Sequence, residues 1–570
     1  MREMDLSVFD VPHLKDKVTQ QLALHDLTQC VLVSRDWHAW FSPTLWRNVN
    51  FNVHFNRKLA ALKAKALDRY RDHTRSIVGF DKYLLLAPAT METFPNLRSF
   101  ECTTQLATFH EVKLLRFIAA TSSLQSVKMT LVTPSTRVLD LLLDTVERHP
   151  SLSKLDLTWP CFAYLDETQK LVATCSRRRQ MQSLRLDFRS TQRLDWRVSF
   201  NRLSCSTRND DTDMEGLIDE TSIKELSIQA SSPDQEHPLL LPLLRRAVQL
   251  ERLDLDWMRC SRSLEHIVQV FERRTHTKLK HLHIGDIVKD MERIPQLLQA
   301  VGYSQRDNSD DDMTEATGYL TGQDDGGLET LSVHQSIPFD RRCVLPLIRH
   351  HADTLTLLDL SHGGDSSRHF GTFASVVGGL PNLRSLSVSL WLGLWGTMAT
   401  ELDRALRTSW ACLGLRILVL TLDLPRSSLN NLDDIDGFAG PTRPGSLEDK
   451  IASNVFAQIN DLHQLEEWKL MSQHNPLTLT GGYLDRIPDL KSLRSLDIRK
   501  FRTGIMETEW MLDHWTNLAH IVMCNGGIRR WRIESDGSSF HIIKSVLLGR
   551  RPWMQVDEDI SFTTCSRDMQ

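Results

Sequence analysis

An α/β solenoid, in which each turn contributes one short strand and one helix, is the fold class this chain predicts, and three observations predict it. The first is a motif, apolar-x-x-apolar-x-apolar, that begins at fourteen places between Leu97 and Leu518. The second is its spacing. Successive starts lie 27, 28, 29, 42, 27, 29, 49, 27, 28, 32, 50, 28 and 25 residues apart, and nine of these thirteen intervals fall between 25 and 29, which scattered leucines would not produce. The third is a change of hydrophobic period between motifs, from every second residue to i, i+3 and i+4, which is the change from strand to amphipathic helix. Such a unit buries its apolar face only against a neighbouring copy, so the copies stack.

Period and leucine pattern together specify a leucine-rich-repeat horseshoe of about fourteen repeats over residues 97–525. The strands follow from the motif itself. Leu152-Ser-Lys-Leu155-Asp-Leu157, Leu250-Glu-Arg-Leu253-Asp-Leu255, Leu279-Lys-His-Leu282-His-Ile284, Leu355-Thr-Leu-Leu358-Asp-Leu360, Leu383-Arg-Ser-Leu386-Ser-Val388 and Leu493-Arg-Ser-Leu496-Asp-Ile498 show it best, with weaker copies at Leu97, Leu124, Met181, Ile223, Leu328, Leu415, Leu465 and Leu518. Alternate side chains of a strand point to opposite faces, so the fourth and sixth positions point inward and the third and fifth line the concave face. Helical spacing follows at 138–146, 239–248, 344–348 and 402–406. An asparagine or cysteine after the strand is rarely in register, although Cys161 and Cys260 come close.

Bulk properties exclude several function classes. A net charge of −4 argues against a general nucleic-acid or membrane-surface binder, which needs clustered cations. The runs Arg177–Arg179 and Arg550-Arg551 read as solvated turns. Ten cysteines without paired spacing, no Cys-x-x-Cys and no Asn-x-Ser/Thr point to reduced conditions in cytoplasm or nucleus, without a disulfide framework or zinc site. The N-terminus has no apolar leader, and the longest apolar stretch, 388–398, is too short to span a bilayer. No phosphate loop, His-Glu-x-x-His, Gly-x-Ser-x-Gly or Gly-x-Gly-x-x-Gly occurs, so a non-enzyme with no cofactor and no metal is expected.

Residues 5–50 are a different domain. Leu14, Val18 and Leu22 form one stripe of a helix entered at Pro12. Asp26 suits the cap of a second helix with Leu27, Cys30, Val31 and Leu32, and Ser34 the cap of a third with Trp37, Trp40 and Phe41, which Pro43 would stop. So small a unit buries too little of its apolar surface, so either the first repeat or a partner must cover it. Residues 51–96 read as a stiff joint with a helix over 55–71 and an irregular first strand near Ile77, and residues 526–570 as a cap.

Phe9-Asp-Val-Pro12, Leu22, Asp26-Leu27, Val33-Ser-Arg35-Asp-Trp37 and Leu45-Trp46 together resemble an F-box, whose pattern runs from Leu-Pro through Asp-Leu and Val-Cys-Lys-x-Trp to Leu-Trp. Joined to the repeats, the chain is similar to F-box/leucine-rich-repeat proteins of the fungal type. The resemblance implies a trihelical domain that docks on the Skp-type adaptor of a Skp–cullin–F-box ubiquitin ligase, while the repeats hold the protein to be degraded. The implied adaptor contacts are Pro12, Leu14, Val18, Leu22, Leu27, Val31, Val33, Trp37, Leu45 and Trp46, some of which must be core instead. A plain repeat scaffold, whose N-terminal helices only cap the stack, is the alternative.

The three long intervals contain insertions near 200–222, 303–327 and 425–450, the first two acidic. Their composition reads as surface loops. Asp211-x-Asp213-x-Glu215-Gly216 imitates the start of a calcium loop, but position twelve is Ser222 rather than glutamate. On the concave side, Asp156, Asp187, Asp254, Asp256, Asp359, Asp423 and Asp497 give an acidic bias suited to a basic protein target. Trp159, Trp257 and Trp391 just past strands, with His283 and His334, complete the candidate target surface.

Overall fold

The computed structural model describes residues 12–51, 66–79, 94–102, 108–131, 135–158, 165–188, 221–230, 240–241, 243–255, 261–273, 278–285, 291–302, 327–333, 339–360, 370–391, 409–423, 447–472, 477–479, 482–499, 503–523 and 538–558. Two units divide the chain, Met1–Leu250 and Glu251–Gln570. Both are solenoid-like and α/β, with strands and helices alternating along the chain.

The first unit opens with helices α1 (Pro12–Gln21), α2 (Leu24–Val33) and α3 (Arg35–Leu45). Strands β1 (Asn48–Asn50), β2 (Ser76–Val78), β3 (Ser99–Cys102), β4 (Ser126–Thr130), β5 (Lys154–Thr158), β6 (Ser183–Phe188) and β7 (Glu225–Ala230) follow, with α4 (Thr108–Ala120), α5 (Thr136–Arg148) and α6 (Leu165–Arg177) between them. Each strand pairs in parallel with the next. From Ser99 the register runs to Ser126, Lys154, Ser183 and Glu225, so the offsets are the motif intervals of 27, 28, 29 and 42 residues. The added length of the fourth interval leaves the ladder unshifted.

The second unit repeats the scheme with β8 (Arg252–Leu255), α7 (Ser261–Glu272), β9 (His281–Ile284), α8 (Ile294–Gly302), β10 (Thr330–Val333), α9 (Arg341–His351), β11 (Leu357–Leu360), α10 (Phe370–Gly379), β12 (Ser385–Trp391) and β13 (Ile417–Asp423). It continues through α11 (Leu447–Asn460), β14 (Glu467–Ser472), β15 (Ser495–Asp497), α12 (Ile505–His514), β16 (His520–Met523), α13 (Ser538–Arg550) and β17 (Gln555–Glu558). Its parallel registers again reproduce the motif spacing, including the long steps from His281 to Thr330 and from Ile417 to Glu467.

Alternation builds the core as expected. Leu155 and Leu157, Leu282 and Ile284, and Leu418 and Leu420 are buried at fourth and sixth positions, and α5 returns Val138, Leu139, Leu142 and Val146 to the same interior. Each such side chain contributes about 1.5–3 kcal/mol of apolar transfer.

A polar ladder also exists, although not after the strand. At several motifs the residue just before the first leucine donates to a backbone carbonyl of the preceding repeat: Asn96 Nδ2 to Asp72 O at 2.6 Å, Ser151 Oγ to Ser122 O at 2.7 Å, Asn382 Nδ2 to Asp353 O at 3.0 Å, Ser492 Oγ to His463 O at 2.6 Å and Asn517 Nδ2 to Lys491 O at 2.7 Å. Two histidines add cross-links. Each accepts a backbone N–H at Nδ1, which places the proton on Nε2. His149 Nε2 then donates to Thr121 O at 2.9 Å and His351 Nε2 to Leu298 O at 3.0 Å, while Nδ1 takes Ser151 N–H and Leu328 N–H.

Four expectations are corrected. Pairing begins at β1, inside the span assigned to the N-terminal domain, because Val49 is a buried strand residue whose repeat lacks the leucine motif, whereas β2 is the irregular first strand expected near Ile77. The tail is no bare cap: α13 packs on α12, and β17 pairs with β16 in a further strand-and-helix turn. Arg178 and Arg551 are not solvated turns. Arg178 donates to the carbonyls of Val146, Glu147, His149 and Leu152, and Arg551 to those of Leu512, Trp515 and Leu518, so each guanidinium satisfies helix-end carbonyls of the preceding repeat. Residues 66–69 are helical as expected. The rest of the 55–71 helix before residue 66, the 402–406 helix and the calcium-loop imitation up to residue 220 lie outside the described residues.

Candidate interaction surfaces

The three N-terminal helices owe their ends to particular side chains. Pro12 opens α1, where its missing N–H costs nothing. Ser34 Oγ accepts from Trp37 N–H at 3.1 Å and caps α3, as expected. Asp26 is not the cap of α2. That helix starts two residues earlier, and the Asp26 carboxylate reaches back to accept from Ala23 N–H at 3.3 Å. Nor does Pro43 stop α3, which runs on to Leu45: the carbonyl that Pro43 deprives of a donor belongs to exposed Ala39, and water can satisfy it.

Leu27 and Phe41 are the buried core of this segment, so Leu27, only 6% exposed, is withdrawn from the expected adaptor contacts. Trp37 lies with its ring centroid 5.4 Å from that of Phe41 and is half-buried. Trp46 stacks on Tyr70 at 5.2 Å with the planes 10° apart, which commits one of its faces to the chain itself. Tyr70 Oη lies 3.4 Å from His38 Nε2. The Arg47 carbonyl, just after α3, accepts from Arg75 and Ser76 N–H, as carbonyls of later repeats do. Val18, Leu22, Val31 and Leu45 are half-buried.

Other apolar side chains are open to solvent: Leu24 at 66%, Leu32 at 74%, Val33 at 63% and Leu14 at 37%. Leu24 and Leu32 were not among the expected contacts. They share one stripe of α2 at i and i+8, a signal visible in the sequence once the helix is started at Leu24 instead of Asp26.

On the strand face turned away from the helices, the first unit aligns Glu101, Lys128, Asp156, Arg185 and Ser227 in one row. Charge alternates along it, and Lys128 Nζ lies 3.0 Å from Glu101 Oε1. Asp156 therefore sits between two cations. Its carboxyl is nevertheless held above the usual range, because burial outweighs the pull of Arg185 and Lys128. Asp187 is corrected as an exposed contact: only 6% of it is accessible, at a strand position between Thr158 and Gln229 in register.

In the second unit the corresponding row is Asp254, His283, Ser332, Asp359, Ser387, Val419, Lys469, Asp497, Val522 and Asp557. His283 Nε2 lies 3.8 Å from Asp254 Oδ1, and Asp359 is half-buried between two serines in register. Asp497 receives Arg499 at 2.8 Å and Lys469 at 3.8 Å. His520 bridges Ser495 Oγ at 3.1 Å and Asp557 Oδ2 at 2.9 Å, and the hydrogen bonds from Gln555 Nε2, first, and His520 hold the Asp557 carboxyl below its usual range. Trp391 ends β12 opposite Asp423. Trp159, Asp256, Trp257 and His334 lie outside the described residues.

Among the described residues no group of three or more His, Cys, Asp or Glu is placed to hold a metal, and no helix is long and apolar enough to cross a membrane. The chain matches no protein-family model, and no curated protein matches it.

Proposed function

We propose that the chain is the substrate-recognition subunit of a Skp–cullin–F-box type ubiquitin ligase, with α1–α3 binding the Skp-type adaptor and the strand faces binding the protein to be ubiquitinated. The observation that carries this reading is the exposure of Leu24, Leu32 and Val33 on one helix of a segment whose own core is already closed around Leu27 and Phe41. Covering three such side chains yields several kcal/mol before association costs. A mixed-charge row such as Glu101–Arg185 suits a polar target surface, read by register and complementarity more than by apolar burial.

The test is capture of a purified Skp-type adaptor by the full chain, with an authentic F-box protein as positive control. Leu32→Asp with Val33→Asp is expected to abolish capture. The thermal melt should be unchanged, because both side chains already face water. A wild-type chain that captures nothing while the control does would end the ligase reading.

A second reading is favoured by one specific observation. The Trp46–Tyr70 stack and the shared Arg47 carbonyl seat the helices on the first strand pair, as an end cap of a repeat scaffold would be seated. Under that reading Trp46→Ala lowers stability and no adaptor is bound.

A further inference from the structure

We infer that the outer surface of α9 is a second docking site, which takes an extended acidic polypeptide segment of the form acidic-x-apolar-x-acidic. It is independent of the adaptor surface. Helix α9 reads Arg-Arg-Cys-Val-Leu-Pro-Leu-Ile-Arg-His-His and holds no carboxylate. Cys343, Val344, Leu347 and His351 face the core. What remains outward is Arg341, Leu345 and Arg349 at i, i+4 and i+8, with Arg342 beside them, all exposed. Leu345 is 55% accessible, an aliphatic residue one turn from an arginine position on either side along the helix.

Among the described residues, the helices beside this stripe bring no charge to it. Helices α8 and α10 pack on either side of α9, and neither contains a charged residue. The flanking carboxylates are Asp340, Asp353 and Glu292. Asp340 is the N-cap: its Oδ1 accepts from Arg342 N–H at 2.8 Å, and its Oδ2 lies 3.6 Å from Arg342 Nε. Arg341 and Arg349 have no carboxylate partner among the described residues. In a chain whose net charge is −4, this is a concentrated cationic surface.

The chemistry selects the partner class. Planar guanidinium forks pair with carboxylates through two parallel hydrogen bonds. Four helical residues advance by about 6 Å, and two residues of an extended peptide by about 6.6 Å. An acidic-x-apolar-x-acidic segment laid along α9 therefore sets a carboxylate on Arg341, an apolar side chain on Leu345 and a carboxylate on Arg349. A nucleic-acid backbone or an anionic membrane would pair with the arginines yet leave Leu345 without a counterpart, and the chain's overall negative charge repels such extended polyanions.

The experiment is a fluorescence-anisotropy titration of the full chain with a labelled Gly-Glu-Ser-Leu-Ser-Glu-Gly peptide, beside a Gly-Glu-Leu-Ser-Ser-Glu-Gly isomer. Saturable binding in the micromolar range is expected for the first, with at least tenfold weaker binding of the isomer. Arg341→Glu with Arg349→Glu, and separately Leu345→Asp, should each weaken binding at least tenfold with the circular-dichroism melt unchanged. Equal affinity of wild type and variants would overturn the proposal. So would tighter binding of a DNA duplex or of phosphatidylserine vesicles through the same arginines. Peptide binding that emerges only after Asp307, Asp310, Asp311, Asp312 and Glu315 are changed to their amides would assign the surface to the chain's own acidic insertion, and would equally overturn an external partner.

Discussion

Arg178 and Arg551 hold helix ends that belong to the repeat before their own. A guanidinium offers five donors in a fixed fork, and here they converge on carbonyls that have no intrahelical partner. Arg178→Lys should therefore cost nearly as much as Arg178→Ala, about 1.5–3 kcal/mol, measured by urea denaturation; a fully tolerated lysine would show that charge alone matters. His351 gives a pH signature. Burial lowers its pKa to about 4 from 6.5, with the adjacent His350 adding to the shift and the Leu298 carbonyl opposing it. The unfolded chain thus takes up a proton that the folded chain refuses, so stability is lost as pH falls from about 6.5 toward 4. The loss is on the order of 3 kcal/mol, and a His351→Leu variant should show a correspondingly flatter acid limb in pH-dependent denaturation. Neither role is readable from sequence, because an Arg-Arg pair or a His-His pair carries no information about burial. The apolar residues were more legible: Leu14 and Val33 are open as expected, while Leu27 belongs to the core, only 6% exposed.

At the scale of elements, neighbouring helices approach until one side chain sets the limit. A Cβ added at Gly302, the end of α8, would lie 2.5 Å from His350 Cβ and 2.8 Å from His351 Cε1. Neither atom is the free end of a flexible chain, since His351 is pinned at both ring nitrogens. Gly302→Ala should destabilise by about 1–3 kcal/mol. At Gly379 the nearest atom is Ile348 Cδ1, a movable methyl, so Gly379→Ala should cost clearly less. Thermal melts of the two variants make the comparison, and equal losses would contradict it. Strand positions were the most legible elements, because register repeats the motif interval, as from Ser126 to Lys154. The strands that escaped, β1 and β17, have three and four residues with one apolar side chain each, too few for a motif to stand out. The polar ladder escaped because Asn96, Ser151, Asn382 and Asn517 precede the leucines, whereas the usual signature follows them.

For the whole molecule, repeats that touch only their neighbours make stability a sum of local terms. Leu386→Ala on β12 removes a fully buried side chain and should cost about 2–5 kcal/mol. Amide exchange should accelerate most in β11, β12 and β13 and progressively less toward β16; a uniform rise across the second unit would instead indicate one all-or-none transition. The expectations placed on Trp159, Trp257 and His334 fall outside the described residues. The clip that ties several motifs to the previous turn has an evolutionary corollary. Registration rests on a few paired strand residues, and the connections between strands lengthen by some twenty residues without shifting it, after the helix on the way to Thr330 and ahead of the helix on the way to Glu467. Foreign segments transplanted between Gly302 and Gly327, or between Asp423 and Leu447, should leave the assembly intact, so these junctions are ports through which the chain can acquire new surface without rebuilding its chassis.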